Sequence, residues 1–138
     1  MVATPAPEPV ETGWHAVELP HSDDAARSTC AVIRDDLAAL HLSPRALNDA
    51  IIVAGELVIN AVEHGTARAD GTISLLWSLA EEHLVVRVVD AGCDGEITVG
   101  ALSSDGLRGR GLAMVASICD EWSVNRAAGT TITARIPL

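Results

Sequence analysis

The stretch Glu-Leu-Val-Ile-Asn-Ala-Val-Glu-His-Gly, residues 56–65, decides the fold of this chain. It closes a predicted helix that begins at Ser43 and Pro44, a capping serine followed by a proline at the first helical position. Glu56 and Asn60 lie four residues apart in an otherwise apolar segment, so both side chains project from one face. A magnesium ion and a proton to be abstracted would explain this carboxylate and carboxamide. A solvated helix edge is the alternative.

Strand and helix patterns on both sides of this helix predict the rest of the fold. The predicted elements are, in chain order, a strand at 14–19, a helix at 22–40, the helix at 43–64, strands at 71–79 and 84–90, a loop at 91–110, a helix at 112–119, and strands at 122–126 and 130–136. This order predicts an α+β fold, a two-layer sandwich with helices packed on one face of a mostly antiparallel mixed sheet. The long glycine-rich loop is typical of a functional lid or a disordered segment.

The composition indicates one globular domain. Hydrophobic residues make up 49% of the 138 positions, which is too many for a disordered chain, and the length supports a single core. Residues 1–13 contain three prolines and no basic, apolar signal segment, so we expect a disordered tail there. Residues 14–138 then form the domain.

Charge and cysteine content argue against several classes of protein. The formal net charge is −10 and every basic residue is an arginine, which argues against DNA or RNA as a non-specific partner. Three cysteines without a CxxC pair fit a reducing cytoplasm rather than a disulfide framework or a zinc site. No apolar run approaches the roughly 20 residues that span a bilayer, so we expect a soluble, cytoplasmic protein.

The strand at 84–90 ends on a carboxylate. Asp90 is followed by Ala91 and Gly92, so an acidic acceptor stands beside backbone that a ligand can approach closely. This arrangement suits recognition of an amino group such as the exocyclic amine of adenine. An ordinary strand-ending turn is the alternative.

A second glycine motif, Gly109-Arg110-Gly111, leads into a predicted helix. Amides at a helix N-terminus attract anions, and the glycines let a phosphate approach. Arg108 and Arg110 could add bidentate charge in a chain where any phosphate must be held by backbone, a cation or arginine. A flexible connection is the alternative.

Taken in this order, the motifs resemble those of the Bergerat-fold ATPases, the superfamily of histidine-kinase-like (HATPase_c, GHKL) ATP-binding domains. The matching segments are 56–65 for the N box, 90–92 for the first glycine box, 109–112 for the second, and 129–131 for the closing threonine motif. The resemblance covers residues 14–138. The short length and the position of the N box resemble, within that superfamily, the anti-sigma factor serine/threonine kinases of the actinobacterial regulator type.

The resemblance implies a role for each matching residue. Asn60 would coordinate Mg²⁺ at the nucleotide phosphates, Glu56 would be the general base, and Asp90 would bind the adenine amino group. Gly92 would give the base room, and Thr130 would support the aspartate through water. The other ATP-binding positions that it implies are His64, Gly95, Arg108, Gly109, Arg110, Gly111 and Leu112.

The resemblance also implies a function. The chain would be an ATP-dependent serine/threonine protein kinase that binds a sigma factor and phosphorylates a serine of a STAS-domain anti-sigma antagonist. Neither nucleic acid nor a membrane is expected as a direct partner. A homodimer is compatible with the resemblance, and the helix at 22–40 offers one surface for it, although we expect that helix to pack against the sheet.

Two departures from the family pattern leave an alternative open. Asp94 stands where the first glycine box has its second glycine, with Gly95 one place late, and Leu107 stands where these kinases carry an arginine. The alternative is a catalytically weak or inactive ATP-binding regulatory module that works by protein binding. A third hypothesis is a structural adaptor whose glycine loop is only a loop.

Overall fold

The computed structural model describes residues 13–92, 107–126 and 129–138, with the backbone alone at 26, 64 and 107–112. Its elements are β1 (His15–Pro20), α1 (Asp23–Leu37), a 3₁₀ turn (Ala38–Leu40), α2 (Pro44–His64), β2 (Thr72–Ala80), β3 (His83–Asp90), α3 (Leu107–Ile118), β4 (Glu121–Asn125) and β5 (Thr130–Pro137). The predicted order of helices and strands is confirmed. Apart from Gly13, the predicted tail lies outside the described residues, as does most of the predicted loop.

The described strands form one five-stranded sheet in the order β1-β2-β3-β5-β4, with β1 at an edge. Each of the four pairings in it is antiparallel. One cross-strand row runs through the whole sheet on the face that meets the helices: Val17, Leu75, Val88, Ile132 and Val124. The predicted α+β sandwich is therefore confirmed, with the core between this row and the helices.

Helix α2 is the central helix of the core. Its inward face is built from small and branched apolar residues, all almost fully buried: Ala46, Ala50, Val53, Ala54, Leu57, Val58 and Ala61. Burying a leucine or valine of this kind contributes about 1.5–3 kcal/mol. This packing holds α2 against β3 and β5 and so fixes where its last two turns stand relative to the strand ends.

The two ends of α2 confirm the start and stop signals of the sequence. The Ser43 side chain accepts a hydrogen bond from the Ala46 N–H at 3.1 Å, and Pro44 begins the helix. At the other end, the Gly65 N–H donates to the Ala61 carbonyl at 3.0 Å. Mid-helix Gly55 has open space around it, since a Cβ there would meet no described atom within 4 Å.

Helix α1 differs in detail from its prediction. Ser22 occupies the N-cap position, but its side chain makes no capping hydrogen bond among the described residues. The buried stripe includes Thr29, whose hydroxyl donates to the Ala25 carbonyl at 2.7 Å. Helix α1 lies against α2 along most of its length, and its Ile33 and Leu37 join the core that α2 and the strands share.

Helix α3 begins earlier than predicted. It starts at Leu107, so Gly109 and Gly111 lie inside its first two turns instead of preceding it. None of the helices in the described residues has the length and apolar character needed to cross a membrane.

Candidate functional site

Asp90 ends β3 with a buried carboxylate. The residue is 4% exposed, and its Oδ1 accepts a hydrogen bond from the Gly92 N–H at 2.6 Å. Gly65 stands directly against the same group, because a Cβ at this position would lie 2.2 Å from Oδ2. The φ angle of Gly65 is −96°, which any residue adopts, so a glycine is needed here for space and not for backbone conformation.

Burial raises the pKa of the Asp90 carboxyl above its ordinary value. The Gly92 N–H, His21 and Arg126 act in the opposite direction, by a hydrogen bond and by charge, but do not cancel the effect of burial. A carboxylate that is short of solvent is a strong acceptor for any donor that a ligand brings. The site therefore suits the amino group that the sequence predicted as its ligand.

The neighbouring strand completes the surroundings of Asp90. Thr130, which is 1% exposed, is its direct partner in the pairing of β3 with β5. Gly129 precedes it with a φ of +84°, and a Cβ there would lie 2.4 Å from the Asp90 carbonyl oxygen. Only glycine satisfies both the left-handed backbone and the close approach of the two strands. This turn places the Thr130 hydroxyl near Gly92, 4.0 Å from the position of a Cβ on that glycine.

Hydrogen bonds join the end of α2 to the end of β3. The Ala91 N–H donates to the Thr66 carbonyl at 2.9 Å, and the Thr66 hydroxyl donates to the Gly92 carbonyl at 2.8 Å. The last turn of the helix and the strand end that carries the carboxylate thus form one rigid unit. The predicted N box and first glycine box are adjacent in space.

Asn60 is buried on α2, one turn before the helix ends. It is 5% exposed, and its side-chain Oδ1 has no hydrogen-bond partner among the described residues. A buried carboxamide oxygen without a donor is costly, so a solvated helix edge does not explain this residue. Carboxamide oxygens of this kind are among the ligands of Mg²⁺, so a magnesium ion would fit this atom. Glu56, one turn earlier, is half-buried and is engaged with other groups.

The remaining predicted site residues lie outside the described residues or are described by their backbone alone. Gly95 and Asp94 lie outside the described residues. His64 and the run from Arg108 to Leu112 are described by their backbone alone, in the last turn of α2 and the first turns of α3. Their roles stay predictions.

Three residues of the site were not predicted from sequence: His21, Thr66 and Arg126. His21 stands between β1 and α1, and its Nε2 donates to the Ala61 carbonyl at 3.1 Å and to the Gly65 carbonyl at 3.3 Å. The only signal in the sequence was a histidine next to a predicted strand end. Its partners are 40 and 44 positions away, which no local pattern reports.

A cavity of about 530 Å³ borders the backbone at Asp90, Ala91 and Gly129. Its other walls include Ser74 and Val89, which alternate with core residues of β2 and β3 and so point away from the helices. The cavity lies on the outer face of the sheet. The Asp90 carboxylate, which meets Gly65 of α2, faces the other way.

Comparison with known proteins assigns the chain to a class. The family model of the histidine kinase-like ATPase domain matches residues 19–136, and the chain belongs to this family. An ATPase domain implies ATP binding, which agrees with a carboxylate, a carboxamide and glycine turns gathered at one end of α2.

Two solved structures are similar to the chain. One is the crystal structure of the RsbU and RsbW domains of Rv1364c from Mycobacterium tuberculosis, at 28% identity and a TM-score of 0.69, covering 92% of this chain and 33% of that one. This chain thus spans about a third of that protein's length. The other is the SiaB–SiaC complex from Pseudomonas aeruginosa, at 19% identity and a TM-score of 0.62, covering 88% of each chain. This second likeness shows the fold. A comparison with curated proteins gave no match.

Proposed function

We propose that the chain is an ATP- and Mg²⁺-dependent serine/threonine protein kinase that acts as an anti-sigma factor. The observation that carries the proposal is the unpartnered, buried Oδ1 of Asn60 on the helix that ends against the Asp90 carboxylate, within a domain of the histidine kinase-like ATPase family. The kinase would bind a sigma factor in one state. In another state it would phosphorylate a serine of a STAS-domain antagonist.

The nucleobase is assigned to Asp90. One carboxylate oxygen is held by the Gly92 N–H, and the other lies beside Gly65, where the absence of a side chain leaves room for a donor. The exocyclic amine of adenine supplies such a donor, and Thr130 would support the carboxylate through water. This assignment predicts a preference for adenine over bases that lack the amine.

The metal is assigned to Asn60. Its Oδ1 has the chemistry of a Mg²⁺ ligand and has no described partner. When bound, the ion neutralises charge on the nucleotide phosphates. The asparagine would fix where that charge is neutralised, because its helix is rigidly packed. The lysine-free composition makes a cation in this role more necessary than in a P-loop protein.

The general base is assigned to Glu56. It would take the proton from the hydroxyl of the substrate serine while the serine oxygen forms a bond to the γ-phosphorus. The bond from that phosphorus to the bridging oxygen breaks, and ADP leaves with the electron pair. At the spacing of one helical turn, the base and the metal-binding asparagine face the same object, so a single helix orients both groups.

The phosphates are assigned to the start of α3. Gly109 and Arg110 lie in its first turn, where amides without a helical acceptor and the helix dipole favour an anion, and Gly111 follows them. Arg108, Leu112, His64 and Gly95 complete the proposed binding positions.

The protein partners are assigned by family and charge. One solved relative carries an RsbW domain, and the SiaB–SiaC structure is a complex of two proteins, which supports a protein as the substrate. With a formal net charge of −10, the chain is suited to dock on a basic surface, and association should weaken as salt rises. We assign the protein to the cytoplasm, where ATP and sigma factors are found.

The test is transfer of label from γ-labelled ATP, with Mg²⁺, to the STAS-domain protein encoded nearby. We expect transfer by the wild type, its loss by 10²-fold or more (an order-of-magnitude figure for a general base) in Glu56→Gln, and ATP binding that is kept in this variant. Asn60→Ala should lose Mg²⁺-dependent ATP binding itself.

Matched controls lie on the same helix. Glu63→Gln makes the same chemical change on an exposed position, and Asn48→Ala removes an exposed carboxamide; both should keep transfer. Label transfer that survives Glu56→Gln would exclude Glu56 as the base. ATP binding by the wild type without transfer to any STAS protein would instead support the binding module that works without catalysis, which Asp94 and Leu107 motivate.

A further inference from the structure

His21 caps the C-terminal end of α2 from outside the helix. The residue is half-buried between β1 and α1, and its Nε2 donates to two carbonyl oxygens, those of Ala61 at 3.1 Å and Gly65 at 3.3 Å. The Ala61 carbonyl also accepts from the Gly65 N–H at 3.0 Å, whereas the Gly65 carbonyl, just past the helix, has no helical amide to accept from. The backbone N–H of His21 in turn donates to the Gly71 carbonyl at 3.2 Å, so the residue is held by both its backbone and its side chain.

One of the carbonyls that accept from His21 belongs to Gly65, the residue that packs against the Asp90 carboxylate. Gly65 stands so near Asp90 that even a methyl group would overlap the carboxylate. Thr66, the next residue, is bonded to Ala91 and Gly92 on the other side of the same carboxylate. A displacement of Gly65 therefore changes its packing against the carboxylate and also moves the turn that orients Asp90.

We propose that His21 is a positioning residue that sets the base specificity of the nucleotide site by holding Gly65 against the Asp90 carboxylate. The inference rests on the proposed nucleotide site and deepens it. His21 touches backbone and not the nucleotide; it acts through the position of Gly65 and so through the direction of the carboxylate.

A matched pair of variants isolates the Nε2 donor. Glutamine places its side-chain amide nitrogen at the distance of the histidine Nε2, and asparagine places it at the distance of Nδ1. His21→Gln should keep the two bonds to α2, and His21→Asn should lose them, with little difference in polarity between the two proteins. The thermal midpoint of each variant is measured beside binding, so that a folding defect is seen.

The probes are ATP and inosine triphosphate, which carries a carbonyl oxygen where adenine has the amine. Calorimetry with Mg²⁺ gives the ratio of their dissociation constants. The wild type and His21→Gln should prefer ATP by about tenfold or more, as expected when a buried acceptor loses its donor. In His21→Asn the ratio should fall towards one, because ATP affinity decreases while affinity for inosine triphosphate changes little.

A simple structural cap predicts a different result. If His21→Asn lowers the affinities for both nucleotides by the same factor, or leaves the ratio at the wild-type value, the inference is overturned while the nucleotide site stands. The same holds if His21→Gln behaves like His21→Asn. A wild type that binds neither nucleotide would overturn the proposed function, and this inference with it.

Discussion

Gly65 is the residue at which the site is least tolerant of change. An added methyl group would lie 2.2 Å from the Asp90 Oδ2 and 2.8 Å from the Ala61 carbonyl oxygen, and both neighbours are held by hydrogen bonds. Gly65→Ala should therefore cost about 1–3 kcal/mol of unfolding free energy, the usual effect of overpacking. It should also weaken ATP binding, since relief of the overlap requires the carboxylate to move. Urea denaturation and calorimetry measure the two effects.

Gly55→Ala is the matched control on the same helix. No described atom lies within 4 Å of the new methyl group, so the only effect is the higher helix propensity of alanine, a gain of about 0.5–1 kcal/mol. If both substitutions changed stability in the same direction, the close contact between Gly65 and Asp90 would not be the reason for the glycine.

The Asp90 carboxylate should lower the stability of the folded chain and strengthen ATP binding. Because burial raises the pKa of Asp90 in the folded chain above its ordinary value of 3.8, the charged form costs folding free energy at neutral pH. This cost is absent at pH values where the carboxyl is protonated in both states, and it grows as pH rises through the folded pKa. Asp90→Asn should thus raise the urea midpoint at pH 7, with a gain that shrinks in acid, while ATP binding weakens.

The comparison for Asp90→Asn is Asp35→Asn, which changes an exposed carboxylate of α1. Such a surface change should shift stability by less than about 0.5 kcal/mol. A wild type that is more stable than Asp90→Asn at pH 7 would mean that the hydrogen bond from Gly92 outweighs burial.

For single residues, the sequence showed which positions are unusual better than it showed why those residues are needed. Asp90, Asn60 and Gly65 stood out as an acid, an amide and a glycine in unsuitable places. Gly65 was expected only as a helix stop, and its second role is visible in the structure alone: its φ of −96° is open to any residue, and the need for space comes from Asp90 of β3. His21 was missed because its partners are 40 and 44 positions distant.

Helix α2 carries both proposed catalytic positions, so its N-terminal cap matters for more than stability. The Ser43 side chain accepts from the Ala46 N–H at 3.1 Å, and Ser43→Ala should cost about 1 kcal/mol. Ser22→Ala is the matched control, because Ser22 stands at the N-cap of α1 without a side-chain capping bond among the described residues. Urea denaturation should show the larger loss for Ser43→Ala; equal losses would contradict the capping assignment.

Whether an element could be predicted depended on how local its signals are. Both ends of α2 are marked by residues next to them, and both were predicted correctly. The start of α3 was not, because Gly109 and Gly111 indicate a break by intrinsic propensity, which is a weak preference of about 1 kcal/mol per glycine. The helix nonetheless runs from Leu107. Amides in a first turn lack helical partners in any case, which makes glycine less costly there.

For the whole molecule, the sequence predicted the layers and their order because the alternation in the strands and the stripe on α2 point to one shared core. What it left open was the packing of the helices on one another. The stripe on α1 was expected on the sheet and joins a core that it shares with α2 as well as with the strands, since a pattern shows which face is buried but not everything that covers it. The same limit applies to the site, where residues from α2, β3, β5 and the turn after β1 meet.

Because these elements meet at one end of the core, nucleotide binding should stabilise the whole domain. A ligand that binds only the folded chain adds about 2.7 kcal/mol at a free concentration of 100 times its dissociation constant, equivalent in a domain of this size to a rise in the thermal midpoint on the order of 10 °C. We expect this rise with ATP and Mg²⁺ together. It should be much smaller with ATP and a chelator, and absent in Asn60→Ala, whereas Asn48→Ala should behave like the wild type. Equal shifts of the thermal midpoint with and without Mg²⁺ would show that Asn60 does not act through a metal. The buried carboxamide oxygen would then need a hydrogen-bond donor as its partner.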